Sequence, residues 1–170
     1  MERSVEVQVL LATPTFTFMI MPLPKKIALL IIDVQKSAVG QSDLPKKIEI
    51  LQQHYTHIFI SQFQNKKSPI LKIMNWAGYD DETLAFIPVK TARIFKKTGY
   101  SSYLPEMKAF SEIHLCGFDT DACVYKTALD LIENDIRPVV LKDYCFSQNK
   151  TLHKMGLKLL ARNIGKHNIK

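Results

Sequence analysis

Three side chains in this sequence have chemistry to offer together: Asp33, Lys97 and Cys123. Cys123 follows Gly117-Phe118-Asp119-Thr120-Asp121-Ala122, which reads as a turn from a strand into a helix. That placement predicts a sulfur at the first helical turn, where the macrodipole and free N–H groups favour the nucleophilic thiolate. Beside Val124 the same residue also fits a small apolar side chain packed on a sheet. Asp33 closes an apolar run, where a carboxylate must be solvated, paired or protonated, although a turn or cap residue fits it too. Lys97, between Lys96 and Thr98, reads by itself as a surface lysine. In combination the three supply a nucleophile, a proton carrier and a cation that holds both anions.

These residues need elements that bring them to one place. The continuous apolar run Ile27 to Ile32 predicts a strand buried on both faces. Ser42 or Asp43 caps a predicted helix reaching Tyr55, and Ile58 to Ile60 reads as a second strand. Ser68 and Pro69 have the types of an N-cap and first helical residue, with Ile70, Ile73 and Met74 as the apolar side and Trp76, Gly78 and Tyr79 in the loop beyond. Residues 92 to 95 predict a strand, a helix is expected from Tyr103 to Phe110, and Ile113 to Cys116 forms a further strand ended by Gly117. Thr120 or Asp121 then caps a helix to Asn134, whose apolar stripe is Val124, Thr127, Ala128, Leu131 and Ile132. A strand over Ile136 to Leu141 and a helix over residues 148 to 164 complete the alternation. Strands alternating with helices call for an α/β fold with a parallel sheet covered on both faces, whose ligands bind outside the carboxyl ends of the strands. Asp33, Lys97 and Cys123 each fall at or just beyond such an end.

Three segments together resemble the isochorismatase-like cysteine hydrolase family. Ile31-Ile32-Asp33-Val34-Gln35 is similar to its first-strand motif, Lys97-Thr98-Gly99-Tyr100-Ser101-Ser102-Tyr103 to its Lys-x-x-Tyr-Ser-Ala-Phe segment, and Cys116 to Val124 to its nucleophile turn. The likeness runs in order over about residues 26 to 165. It implies a three-layer α/β/α, Rossmann-like domain and a thiol mechanism in which Asp33 shuttles the proton of Cys123 while Lys97 stabilises the charged pair. A small molecule would be cleaved at a carbon–nitrogen bond through a thioester. The resemblance further implies a cis peptide between Phe118 and Asp119, an oxyanion hole from the N–H groups of Asp119 and Cys123, and self-association into a homo-oligomer. Gln62, Phe63, Asn65 and Trp76 match a pocket-lining region and are the expected substrate contacts. Lys97 is preferred to Lys96 on its spacing to Tyr100-Ser101; on a strand the two point opposite ways.

Departures from the pattern restrict the reading. The nicotinamidase branch carries a histidine beyond the second strand where this chain has Ile60-Ser61-Gln62-Phe63-Gln64-Asn65, and His54 and His57 precede the strand instead. No metal and no cofactor is therefore expected. The cysteine leans away from vinyl-ether hydrolysis centred on Asp33, which stays open together with a silent binding or scaffold protein. A nucleotide-binding module is disfavoured because no glycine-rich loop follows the first strand.

Composition agrees with one soluble domain. A chain of 170 residues with 46% hydrophobic and 23% charged residues fits the single-domain range. Three cysteines, Cys116, Cys123 and Cys145, are too few for a disulfide framework, so a cytoplasmic setting is expected. Cys116 is expected in the core, and Cys145 exposed beyond the last strand. The formal charge of +7 comes in scattered lysine pairs without an aromatic platform, which argues against a nucleic-acid surface. Residues 1–24 are broken by Pro14 and begin with Glu2 and Arg3; they suit neither a membrane span nor a signal peptide and read as a β-prone extension to a 25–170 domain.

Overall fold

Strand β1 (Ile27–Ile32) is the axis of the fold, and its residue pattern explains why. Leu29 and Ile31 pack into one apolar cluster, whereas Ala28, Leu30 and Ile32 pack into another, so successive side chains are buried on opposite faces of the sheet. The structure, a computed structural model, describes residues 26–78 and 81–170; the extension 1–24 and Tyr79 lie outside the described residues.

Around β1 the chain forms a five-stranded parallel sheet in the order β3-β2-β1-β4-β5, with β2 (Ile58–Phe63), β3 (Arg93–Lys97), β4 (Glu112–Phe118) and β5 (Arg137–Phe146). Helices α1 (Lys36–Val39) and α2 (Leu44–Leu51) cover one face through Val39, Leu44, Ile48 and Leu51. The other face is covered by α4 (Tyr125–Glu133) and α5 (Lys150–Asn163) through Ala128, Leu131 and Leu160. The parallel three-layer reading thus holds. The strand order reverses between β1 and β4, a position where open α/β sheets leave a crevice.

Several elements differ from expectation. Strand β2 runs longer than its apolar run because Ser61 and Gln62 still pair in the ladder, and β5 because pairing resumes at Cys145 and Phe146 after an irregularity. The helix expected over Tyr103 to Phe110 is a 3-10 turn, Pro105–Ala109. Asp43 precedes α2, yet its side chain makes no cap and instead pairs with Lys47 at 3.0 Å. Ser68 does cap α3 (Pro69–Met74), its hydroxyl accepting from the Ile70 N–H at 3.1 Å. The apolar residues of α3 are nonetheless not core, since none of its residues is buried. Ile132 is likewise exposed, because the α4 stripe that meets the sheet ends at Leu131. Cys145 is buried on β5 beside Leu115, so the expectation of an exposed thiol fails.

Gly117 permits the closest approach in the sheet. Its φ of 119° belongs to glycine, and a Cβ there would stand 2.2 Å from the Ile32 carbonyl oxygen. Nothing bulkier lets the ends of β1 and β4 come together. Gly117→Ala is expected to lower stability by about 3 kcal/mol or more, read as a drop in the urea midpoint; an unchanged midpoint would contradict this close packing.

Candidate active site

Asp33, Lys97 and Cys123 meet at the carboxyl rim. Asp33 directly follows β1, with a φ of 52° that turns its carboxylate away from the strand direction. Lys97 is the last residue of β3, and Cys123 lies in a π-helical turn, Thr120–Val124, between β4 and α4. Lys97 Nζ sits 2.7 Å from Asp33 Oδ2 and 3.3 Å from Cys123 Sγ, with both side chains of the ion pair almost wholly buried. Lys96, one residue earlier, is exposed on the opposite side of the strand.

The lysine's donors are fully committed. Its three N–H groups go to the Gly99 carbonyl (3.0 Å), the Tyr100 carbonyl (2.9 Å) and Cys123 Sγ (3.3 Å). Asp33 Oδ2 therefore feels the cation's charge without receiving an aligned hydrogen bond, and it is a buried oxygen without a hydrogen-bond donor among the described residues. The other oxygen, Oδ1, accepts from Ser61 Oγ at 2.7 Å, and Ser61 Oγ accepts from Ser102 Oγ at 3.0 Å. One carboxylate oxygen is fixed by hydroxyls; the other lies against the Lys97 ammonium.

The thiol itself is neutral at rest. Burial pushes Cys123 up to about 12 and the nearby Asp33 charge adds to this, with Lys97 opposing both. The pull toward thiolate expected at a helix start is thus opposed here by burial and by the Asp33 charge. A neutral Cys123 can accept from Lys97 through sulfur while its proton lies within hydrogen-bonding reach of Asp33.

The turn holding Cys123 is fixed from several sides. The Phe118–Asp119 peptide is cis, and the Asp119 carbonyl accepts from the N–H groups of Ala122 and Val124. Thr120 and Asp121 do not cap a helix: the Thr120 hydroxyl pairs with His153 Nδ1 at 2.9 Å, and Asp121 accepts from Ser147 at 2.7 Å. Gly156 of α5 lets that helix press on the turn, since a Cβ there would stand 2.8 Å from the Asp121 Cα. Burial, with Asp121 as a neighbour, raises Asp119 to about 7 against the opposing Ser147 hydrogen bond.

A cavity of about 200 Å³ opens onto the thiol, walled by Phe63, Trp76 and Phe118 and floored by Asp33, Asp119 and Cys123. Two expected contacts are elsewhere. Gln62 alternates to the other side of β2, where its amide reaches toward the Glu82 carbonyl, and buried Asn65 packs against Gly78. Sequence reasoning missed Ser61, Ser102 and the pocket role of Gln35, whose side-chain amide clamps Phe63 by bonds to its carbonyl (3.1 Å) and from its N–H (2.9 Å). Gln35 stood next to the first-strand motif and could have been found; the two serines carry no local signal.

His54 and His57 lie near the amino ends of the strands, around a separate hollow with Tyr55 and His114. Among the described residues no group of three or more His, Cys, Asp or Glu side chains is placed to hold a metal ion, and no helix is long and apolar enough to cross a membrane.

Comparisons with known proteins agree with this fold. The family model for the isochorismatase domain matches residues 27–167. Among solved structures, nicotinamidase from Bacillus subtilis is similar at 20% identity, TM-score 0.67, covering 82% of this chain and 97% of that one. N-carbamoylsarcosine amidase from Thermoplasma acidophilum is similar at 19% identity, TM-score 0.65, covering 82% and 93%. Pyrazinamidase of Pyrococcus horikoshii, solved in complex with zinc, matches at 15% identity, TM-score 0.69, covering 85% and 97%. Curated proteins yield no match.

A neutral resting thiol has a spectroscopic signature. The difference in thiolate absorbance near 240 nm between the native protein and Cys123→Ser should stay flat from about pH 6 to 9, well below the raised titration of Cys123. A titration step inside that interval would show a resting thiolate instead.

Proposed function

The chain belongs to the isochorismatase-like hydrolase family, and from that premise we propose that it is a cysteine hydrolase cleaving a carbon–nitrogen bond of a small amide. The observation that carries the reading is Lys97 Nζ between the Asp33 carboxylate at 2.7 Å and the Cys123 sulfur at 3.3 Å. Substrate binding would bring a carbonyl carbon to Cys123. As the sulfur attacks, its proton moves to Asp33 Oδ2, the acceptor that Lys97 leaves free of a hydrogen bond. Charge never has to separate far, because Lys97 stays beside both atoms.

The substrate oxygen would take the developing negative charge toward the backbone N–H groups of Asp119 and Cys123. Collapse of the tetrahedral intermediate breaks the carbon–nitrogen bond, and Asp33 returns its proton to the departing amine. Water, deprotonated by Asp33, then cleaves the thioester and restores the thiol. Ser61 and Ser102 would hold the Asp33 carboxylate in one orientation through this cycle. Phe63 and Trp76 in the cavity wall would contact the substrate.

A panel of primary amides, thioesters and a vinyl ether tests the assignment. On the best amide found, Cys123→Ser, Asp33→Asn and Lys97→Met should each lower kcat/KM by about 10³-fold or more, and pairing them should add little because the three act as a unit. Lys97→Met should also cost about 3–5 kcal/mol of stability by stranding a buried carboxylate, so its folding is followed by circular dichroism. Amide turnover retained in Cys123→Ser overturns the thiol mechanism. Turnover of the vinyl ether alone would point to Asp33-centred chemistry, and none on the whole panel to a silent binding protein.

A further inference from the structure

The outer wall of the cavity is apolar and stands exposed among the described residues. It is built by α3 and the segment after β3: Met74, Trp76 and Tyr100 all line the cavity, yet they remain 62%, 38% and 41% exposed. A six-residue helix with no buried residue cannot be held by its own core contacts. Its anchors are polar: the Ser68 cap, the Trp76 N–H to the Leu71 carbonyl at 3.1 Å, and the Tyr100 hydroxyl to Met74 Sδ at 3.3 Å. Tyr100 also ties this rim to the site, because its carbonyl accepts from Lys97.

The charged side chains lining the cavity are Asp33 and Asp119, and among the described residues none of the lining is basic. Lys97, behind them, has its donors spent. An anionic group on the substrate would meet the Asp119 carboxyl group and a lysine already paired with Asp33, a costly burial. The cavity that these rim residues line together with the thiol is about 200 Å³, room for an amide and a modest apolar group, since an apolar cavity of about 150 Å³ accepts benzene.

We infer that the substrate is an uncharged amide carrying an apolar group that reaches outward from the thiol and lies across Met74, Trp76 and Tyr100. This rests on the amide-hydrolase reading and adds a subsite to it. An apolar chain there removes the exposed rim from water, gaining about threefold in affinity per buried methylene. A small polar amide would leave the rim wet.

Trp76 is the single tryptophan of the chain and stands in the subsite, so its fluorescence reports occupancy without turnover. The Cys123→Ala variant is titrated with acetamide, butanamide and hexanamide, with N-butylacetamide to lengthen the nitrogen side, and with adipamate as the anionic counterpart of hexanamide. Affinity should rise about two- to fourfold per methylene in the acyl or the nitrogen series, and adipamate should bind at least about 30-fold more weakly than hexanamide. Met74→Lys should flatten the chain-length slope.

A flat slope in both series, or adipamate binding as well as hexanamide, overturns the inference. So does light scattering that finds a dimer which Met74→Lys dissociates, because the rim would then be covered by a second copy. The native protein is assayed for hydrolysis of the same amides in parallel. Graded binding without turnover removes the hydrolase reading and leaves the subsite; turnover without grading removes the subsite and leaves the hydrolase.

Discussion

The site depends on one buried ion pair. Asp33 and Lys97 end strands that are not neighbours, since β2 lies between β1 and β3. Removing water from two charges costs several kcal/mol per ion, and their attraction offsets this only when the remaining donors and acceptors are satisfied. Here the lysine's donors are absorbed by Gly99, Tyr100 and Cys123, and one aspartate oxygen by Ser61. The remaining oxygen has the Lys97 ammonium at 2.7 Å and no aligned donor among the described residues, which leaves it able to accept a proton from Cys123. Both loops that frame the pocket are thereby tied to the same pair.

Rigidity around the thiol comes from glycines and hydroxyls rather than from a long helix. Gly117 lets the end of β4 press on Ile32, and Gly156 lets α5 press on Asp121, so the turn carrying Cys123 is held between sheet and helix. Thr120, Ser147 and His153 satisfy its polar groups. The contrast with the outer wall is physical. Where the chain must hold a sulfur against a carboxylate it is closely packed, and where it meets the outer part of a ligand it presents exposed apolar side chains on and after α3.

Much of this was legible in the sequence because strand burial writes itself into composition. The run Ile27 to Ile32 announced a central parallel strand, and the placing of Asp33, Lys97 and Cys123 after separate apolar runs implied a common rim. Phe63 and Trp76 were found in the cavity wall, but Gln62 was not, since the alternation of β2 could be read only once Phe63 was known to face inward. The α3 residues misled for another reason: an apolar stripe at helical spacing looks the same whether it faces a core or an open pocket. Ser61 and Ser102 were invisible because their function is set by tertiary contact with Asp33, which local sequence does not encode. The forces that oppose ionisation of Cys123 were not legible, because a helix start is readable in sequence and the depth of burial is not.

The central claim is that Cys123 is a nucleophile poised by Asp33 and Lys97, and a carbonyl that cannot be hydrolysed tests it without a known substrate. Carbon-13 NMR of 3-phenylpropanal labelled at its aldehyde carbon, bound to the native protein, should show a tetrahedral sulfur-bound resonance that is absent from Cys123→Ala. A bound aldehyde that stays free or hydrated in the native protein, with the same spectrum as in Cys123→Ala, would contradict the account.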